Sequence, residues 1–314
     1  MYRKFYGFRE KPFEITPDPS YVYLSEAHQE GLSYLQYAIK ERKGFSVITG
    51  EAGTGKTTLV HKLLSSLDGS VRTCYVFNPM MEKADFLNYI CHDLGIPTEE
   101  LKTRGQSLAA LHIFLLKCFT NNEKVFLIVD EAQCLDADLL QEVRLLTNLE
   151  TAKFKLLHVV LLGQPELTDI LNKREFRPLK QRITVRYDLR PLTAREVREY
   201  INYRLKRAGS RNPVIFDSAA IQAIYKYSRG IPRVINILCD NALLTGFSAG
   251  KTRIGKKIIK DTIRDIEGAN QNAKDSFKKK QRLIIVIVMI LTLLALTGLL
   301  FPETVANLWR NIYG

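Results

Sequence analysis

The feature that most constrains this chain is a glycine-rich run between an apolar segment and a helical pattern. The run follows Phe45–Thr49, precedes a helical pattern from Leu59, and reads Gly50-Glu51-Ala52-Gly53-Thr54-Gly55-Lys56-Thr57-Thr58. Strand, GxxxxGK[ST] loop and helix in this order are typical of a P-loop, whose backbone N–H groups and helix dipole surround phosphate oxygens. We predict that these nine residues bind nucleotide, with Lys56 at the β- and γ-phosphates and Thr57 on Mg²⁺.

Two acids follow a second apolar run. Lys124–Val129 is rich in β-branched residues, as in a strand buried on both faces of a parallel sheet, and Asp130 and Glu131 come directly after it. The carboxyl end of such a strand lies in the ligand crevice. We predict that Asp130 holds Mg²⁺ and that Glu131 deprotonates the attacking water, which favours ATP hydrolysis over kinase or GTPase chemistry. The alternative is a solvated acidic turn.

A third apolar run, Leu156–Leu162, is followed by Gly163 and Gln164. Gln164 is placed to contact the γ-phosphate or its water, and its alternative is an ordinary loop amide. His158 lies inside the apolar run, so we interpret it as a packed core residue and not as a ligand.

The remaining pattern predicts an α/β fold, a P-loop NTPase with a parallel five-stranded sheet and a helical lid. Two further strands are predicted at Val71–Phe77 and Ile183–Leu189. The composition changes at Thr193, where a capping box with Glu196 begins a run of helices. We therefore assign residues 1–192 to an ATPase domain with an N-terminal extension, and residues 193–268 to the lid.

The end of the sequence predicts a membrane anchor. The chain has 314 residues and a net charge of +13, and its basic residues are concentrated shortly before an uncharged run, Leu283–Phe301. As a helix this run is about 28 Å long, enough to cross a bilayer. We predict a basic linker at 269–282, a transmembrane helix at 283–301 and a short periplasmic tail at 302–314, with the ATPase domain cytoplasmic. Anionic lipid is expected near residues 278–282. The alternative is a buried or partner-bound apolar helix.

The order of these motifs resembles the AAA+ ATPases and, more narrowly, the ExeA (GspA) family of secretion ATPases. The narrower resemblance is carried by Phe5–Phe13, Thr16–Pro19, Tyr23–Ser25, Val129–Gln133, Gly163–Leu167, Gln181–Ile183 and Gly230–Asn236. It implies an ATP- and Mg²⁺-dependent enzyme of the bacterial inner membrane. Such an enzyme would help to assemble or operate a secretion, pilus or polysaccharide-export system, together with an inner-membrane partner.

The resemblance also implies roles for arginines. Arg233 matches a lid arginine that contacts the γ-phosphate of its own subunit, and Arg182 lies where a finger would reach the ATP of a neighbour, with Arg177 in reserve. Each has the alternative of being a surface arginine. A homo-oligomeric ring, such as a hexamer, follows from a finger in trans.

Two other functions fit parts of the sequence. ATPases of DNA transposition look partly similar, so a nucleic-acid-handling AAA+ ATPase of transposition or loader type is the alternative, although the predicted anchor argues against a nucleic-acid partner. An ATP-gated adaptor without turnover is the other, and Glu131 argues against it.

Overall fold

A computed structural model describes residues 1–14, 18, 21–77, 79–210 and 214–268. Its five strands are β1 Phe45–Thr49, β2 Val71–Val76, β3 Lys124–Val129, β4 Leu157–Gly163 and β5 Val185–Asp188. All pair in parallel, in the order β2-β3-β4-β1-β5. The predicted five-stranded parallel sheet is confirmed. Strands β1, β3 and β4 are central and buried along nearly their whole length, so the carboxyl ends that bear the predicted site lie side by side.

Helices cover both faces of the sheet. The first half of the chain forms α1 Tyr2–Tyr6, α2 Glu26–Lys40, α3 Lys56–Leu64, α4 Lys83–Asp93, α5 Arg104–Thr120 and α6 Ala137–Leu146. Then follow α7 Pro165–Asn172, α8 Arg177–Lys180, α9 Ala194–Arg207, α10 Ser218–Ser228 and α11 Pro232–Ser248. Two apolar cores separate the layers. One includes Phe86, Leu111 and Val143 from α4, α5 and α6, and the other includes Leu35 and Leu59 from α2 and α3.

The N-terminal extension packs on the helices that follow the sheet. The Tyr2 hydroxyl bonds Asp240 of α11, and the ring of Phe5 meets that of Phe247 edge-on at 5.3 Å. Further along, the guanidinium of Arg204 in α9 donates to the carbonyl oxygens of Pro12 (2.5 Å) and Glu14 (3.2 Å). The extension therefore belongs to the core of the predicted lid, although it precedes the sheet in sequence.

The chain divides into two units, Met1–Lys256 and Lys257–Gly314. In the second unit the structure describes residues 257–268, which are helical. Among the residues that the structure describes, no helix has the length and hydropathy needed to cross a membrane. The predicted linker 269–282, transmembrane helix 283–301 and tail 302–314 lie outside the described residues and stay predictions.

Candidate functional site

The P-loop lies between β1 and α3 and is built around glycines with backbone angles that other residues avoid. Gly53 has φ 83° and Gly55 has φ 106°. A side chain on Gly53 would begin 2.7 Å from Cβ of Arg233, and one on Gly55 would begin 2.7 Å from Nε2 of His28. Both positions thus need glycine, for conformation and for space.

Lys56, the first residue of α3, is turned into this loop. Its ammonium donates to the carbonyl oxygens of Gly50 (2.7 Å) and Glu51 (3.2 Å), and the residue is only 6% exposed. Burial lowers the pKa of Lys56, while the charges of Glu131 and Asp130 act in the opposite direction. The cation is therefore held beside the loop, where a phosphate can replace the two carbonyl oxygens.

Asp130 faces Thr57 across the cleft between β3 and α3. The Thr57 hydroxyl donates to Oδ2 of Asp130 at 2.7 Å, and the Tyr75 hydroxyl donates to the same oxygen at 2.7 Å. The backbone N–H of Glu131 donates to the other oxygen, Oδ1, at 2.8 Å. Asp130 is 5% exposed, so three donors stabilise a nearly buried carboxylate.

A hydroxyl and a carboxylate oxygen are the donor set that Mg²⁺ takes from proteins when phosphates supply further ligands. Thr57 and Asp130 fit that ion, and the structure brings these two predicted ligands together. Within the described ranges, no group of three or more His, Cys, Asp and Glu side chains is arranged to hold a metal by itself.

The carboxylate of Glu131 accepts hydrogen bonds from two side-chain amides. Gln133 and Gln164 both donate to Oε2 of Glu131, the latter at 3.2 Å. The side-chain oxygen of Gln133, Oε1, in turn accepts from the backbone N–H of Gln164 at 3.0 Å. Glu131 itself has φ 49°, in the left-handed region that glutamate rarely adopts. The predicted base and the predicted γ-phosphate contact are therefore joined in one network, through a residue that we did not predict.

The three predicted arginines differ in position. Arg233, at the start of α11, has an exposed side chain, and its backbone N–H donates to the carbonyl oxygen of Gly53 at 3.3 Å. Arg182 is half-buried and donates to Oγ1 of Thr147 in its own subunit at 2.9 Å. Arg177 is exposed. Arg233 is thus at the P-loop, whereas the roles of Arg182 and Arg177 toward a neighbour stay predictions.

Sequence reasoning missed His28 of α2. Its ring is 4% exposed and bonds the carbonyl oxygen of Thr54 at 3.1 Å through Nε2 and the Ser25 hydroxyl at 2.6 Å through Nδ1. Burial lowers its pKa, so the ring is neutral near pH 7. The pattern Ser25-x-x-His28 shows only a helix N-cap, and nothing local indicates that this helix supports the P-loop.

His158 is confirmed as a core residue. Its Nδ1 accepts from the backbone N–H of Gly44 at 3.2 Å, its Nε2 lies 3.0 Å from the Ser46 hydroxyl, and its ring stacks on Phe126 at 4.5 Å. Burial lowers the pKa of His158 to about 3.

Comparison with known proteins relates this chain to proteins with an AAA domain. The model of a family described as AAA domain matches residues 39–171. Over 256 residues the chain is 43% identical to General secretion pathway protein A of Aeromonas hydrophila. The aligned region covers 81% of this chain and 46% of that protein. The chain thus spans about half the length of this relative.

Solved structures share the fold at low identity. Cdc6p of Pyrobaculum aerophilum matches with a TM-score of 0.62 and 17% identity, over 80% of this chain and 71% of that one. The ORC2 protein of Aeropyrum pernix, solved as ADPNP–ADP complexes, matches with a TM-score of 0.58 and 16% identity, over 82% and 72%. These likenesses cover more of the chain than the AAA domain match and show a shared fold.

Proposed function

Because this chain belongs to the AAA+ P-loop ATPases, in the family of general secretion pathway protein A, we propose that it hydrolyses ATP to drive a bacterial envelope system. That system is a secretion, pilus or polysaccharide-export machine, which the chain helps to assemble or operate. The observation that carries the proposal is the 2.7 Å pairing of the Thr57 hydroxyl with Asp130, beside a clamped Glu131. The identity with the Aeromonas protein supports the choice of system.

Nucleotide binding follows from the loop. Phosphate oxygens take the place of the Gly50 and Glu51 carbonyls at the Lys56 ammonium, while the N-terminus of α3 offers its free N–H groups. Thr57 and Asp130 would hold Mg²⁺, which, when bound, offsets the negative charge of the phosphates. Lys56 contacts the phosphates as a point charge.

Hydrolysis follows from Glu131 and Gln164. The Glu131 carboxylate accepts the proton of the attacking water, and the Gln164 amide, which bonds the same carboxylate oxygen, orients that water or the γ-phosphate. Gln133 links the two residues, because it donates to the Glu131 carboxylate and accepts from the backbone N–H of Gln164. In this arrangement the base is aligned before nucleotide arrives, which lowers the cost of positioning it.

Arginines and neighbours complete the proposed cycle. Arg233 reaches from the lid toward the γ-phosphate of its own subunit, and Arg182, or else Arg177, reaches the nucleotide of the next subunit in a ring. The ring is anchored through residues 283–301 in the inner membrane, with the basic residues 278–282 on anionic lipid. There it passes the nucleotide state to a membrane partner.

The test uses the full chain purified in detergent. Glu131→Gln should lower kcat by about 10³-fold and retain bound ATP, because the base is lost while the phosphate contacts remain. Lys56→Ala should lose nucleotide binding and should fail to restore export in a deletion strain. Glu99→Gln, an exposed carboxylate outside the site, is the matched control and should leave both properties intact. Wild-type turnover that survives in Glu131→Gln would contradict the proposal.

Two further measurements separate the alternatives. A chain truncated before Leu283 should leave the membrane fraction, and its retention there would remove the anchor from the proposal. Hydrolysis by the wild type should be insensitive to duplex DNA at physiological salt, whereas tight binding and stimulation would favour the nucleic-acid-handling alternative.

A further inference from the structure

Tyr75 is an unexpected neighbour of the proposed metal site. It lies on β2, an edge strand of the sheet, opposite Ile128 of β3, and its hydroxyl donates to Oδ2 of Asp130 at 2.7 Å. Asp130 is therefore approached by two hydroxyls from different elements, Thr57 of α3 and Tyr75 of β2, at equal distance.

The tyrosine is fixed on three sides. Its backbone N–H donates to Asp93 at 3.1 Å, its carbonyl oxygen accepts from the Tyr89 hydroxyl at 3.0 Å, and its ring stacks on His61 of α3 at 5.8 Å. None of these contacts involves the P-loop. The hydroxyl is thus held in place by structure that does not depend on bound nucleotide.

A carboxylate that touches only one mobile donor can rotate about its side-chain torsions, whereas donors from two elements fix its lone pairs. We propose that Tyr75 is a positioning residue, which orients Asp130 for the Mg²⁺ of the bound nucleotide. The proposal rests on the Mg²⁺-dependent nucleotide binding proposed above. It assigns to β2 a part in metal binding that the motifs after β1 and β3 do not contain.

The test is calorimetry of ADP binding to the full chain in detergent, over a range of Mg²⁺ concentrations and in EDTA. Tyr75→Phe removes only the hydroxyl, and we expect the Mg²⁺ concentration for half-maximal tightening of ADP binding to rise about tenfold, the effect of one charge-assisted hydrogen bond. ADP affinity in EDTA should stay within about twofold of wild type, since the P-loop contacts are unchanged.

Tyr225→Phe is the matched control, because it removes an exposed tyrosine hydroxyl from α10, away from Tyr75 and Asp130. It should leave the Mg²⁺ requirement unchanged. If Tyr75→Phe misfolds, His61→Ala removes the stacked ring from an exposed position and should raise the Mg²⁺ requirement about two- to threefold.

A folded Tyr75→Phe with the wild-type Mg²⁺ requirement, or a lower one, would overturn the assignment while the proposed ATPase stands. Wild-type protein that binds ADP equally with and without Mg²⁺ would also overturn the assignment, and wild-type protein that binds no ADP under either condition would overturn the proposed ATPase with it.

Discussion

The two halves of the proposed site differ in how far they are organised before nucleotide binds. On the sheet side, Lys56, Thr57, Asp130, Glu131 and Gln164 all make side-chain hydrogen bonds to one another or to the loop. On the lid side, Arg233 contacts the P-loop through a backbone hydrogen bond to Gly53, and its side chain is exposed. The sheet side is therefore preorganised for chemistry, whereas the exposed Arg233 side chain can change its contacts when nucleotide binds.

The largest expected effect tests whether a neighbour completes the site. Arg182→Ala should lower kcat by about 10³-fold, the size of an arginine-finger effect, with ATP binding intact. The measurement is hydrolysis by Arg182→Ala subunits, alone and mixed with Glu131→Gln subunits. Mixing should restore part of the activity, because a wild-type finger then meets a wild-type base. If the mixture stays inactive and Arg177→Ala alone loses its ATPase activity, Arg177 and not Arg182 is the arginine finger.

The next effect is expected on the lid side. Arg233→Ala should lower kcat about 100-fold and remove most of the preference for ATP over ADP, since only ATP carries the γ-phosphate that this side chain is proposed to contact. Binding of ATP and ADP is compared by calorimetry in a Glu131→Gln background. Arg229→Ala, at the C-cap of α10, is a control on the same lid. If Arg233→Ala keeps the wild-type preference for ATP over ADP, Arg233 does not contact the γ-phosphate.

A smaller effect is expected within the sheet side. Gln133→Ala should lower kcat about 30-fold with little change in KM, because Glu131 keeps only one of its two amide donors and remains present as a base. Steady-state kinetics separate the effect on kcat from the effect on KM. A change confined to KM would mean that Gln133 shapes binding and not the base.

The smallest effect concerns acid sensitivity of the sheet. Burial lowers the pKa of His158 to about 3, against about 6.5 in the unfolded chain. The contribution of His158 to the free energy of unfolding is therefore present above pH 6.5, and below it this contribution falls by about 1.4 kcal/mol per pH unit, because only the unfolded chain takes up the proton. Urea unfolding at pH 7.0 and 5.5 should show a larger loss in wild type than in His158→Gln, which keeps the contribution of His28. Equal losses would mean that the buried ring is protonated in the folded state.

The sequence predicts those parts of the site that lie in short continuous segments of the chain. The P-loop, the acids after β3 and Gln164 after β4 each follow a strand that an apolar run reveals, and parallel strands must bring these ends together. Tyr75, Gln133 and His28 could not be found in this way. Their partners depend on which strand lies beside β3, on a backbone angle at Glu131, and on a helix that precedes the sheet.

The N-terminal extension was beyond sequence reasoning for the same reason. Its aromatic residues predict packing near the adenine or at the seam between the domains, but the sequence does not show which residues they contact. The structure places Tyr2 and Phe5 against α11, far away along the chain, since Asp240 and Phe247 supply the matching hydroxyl acceptor and ring.

The first turn of α2 has a mechanical consequence. The backbone N–H of Glu26 donates to the Glu196 carboxylate of α9 at 3.1 Å, and two residues later His28 bonds the carbonyl of Thr54. One turn of helix is thereby hydrogen-bonded both to α9 and to the phosphate loop. A displacement of α9 that keeps both bonds would have to move the phosphate loop with it, with no nucleotide between them.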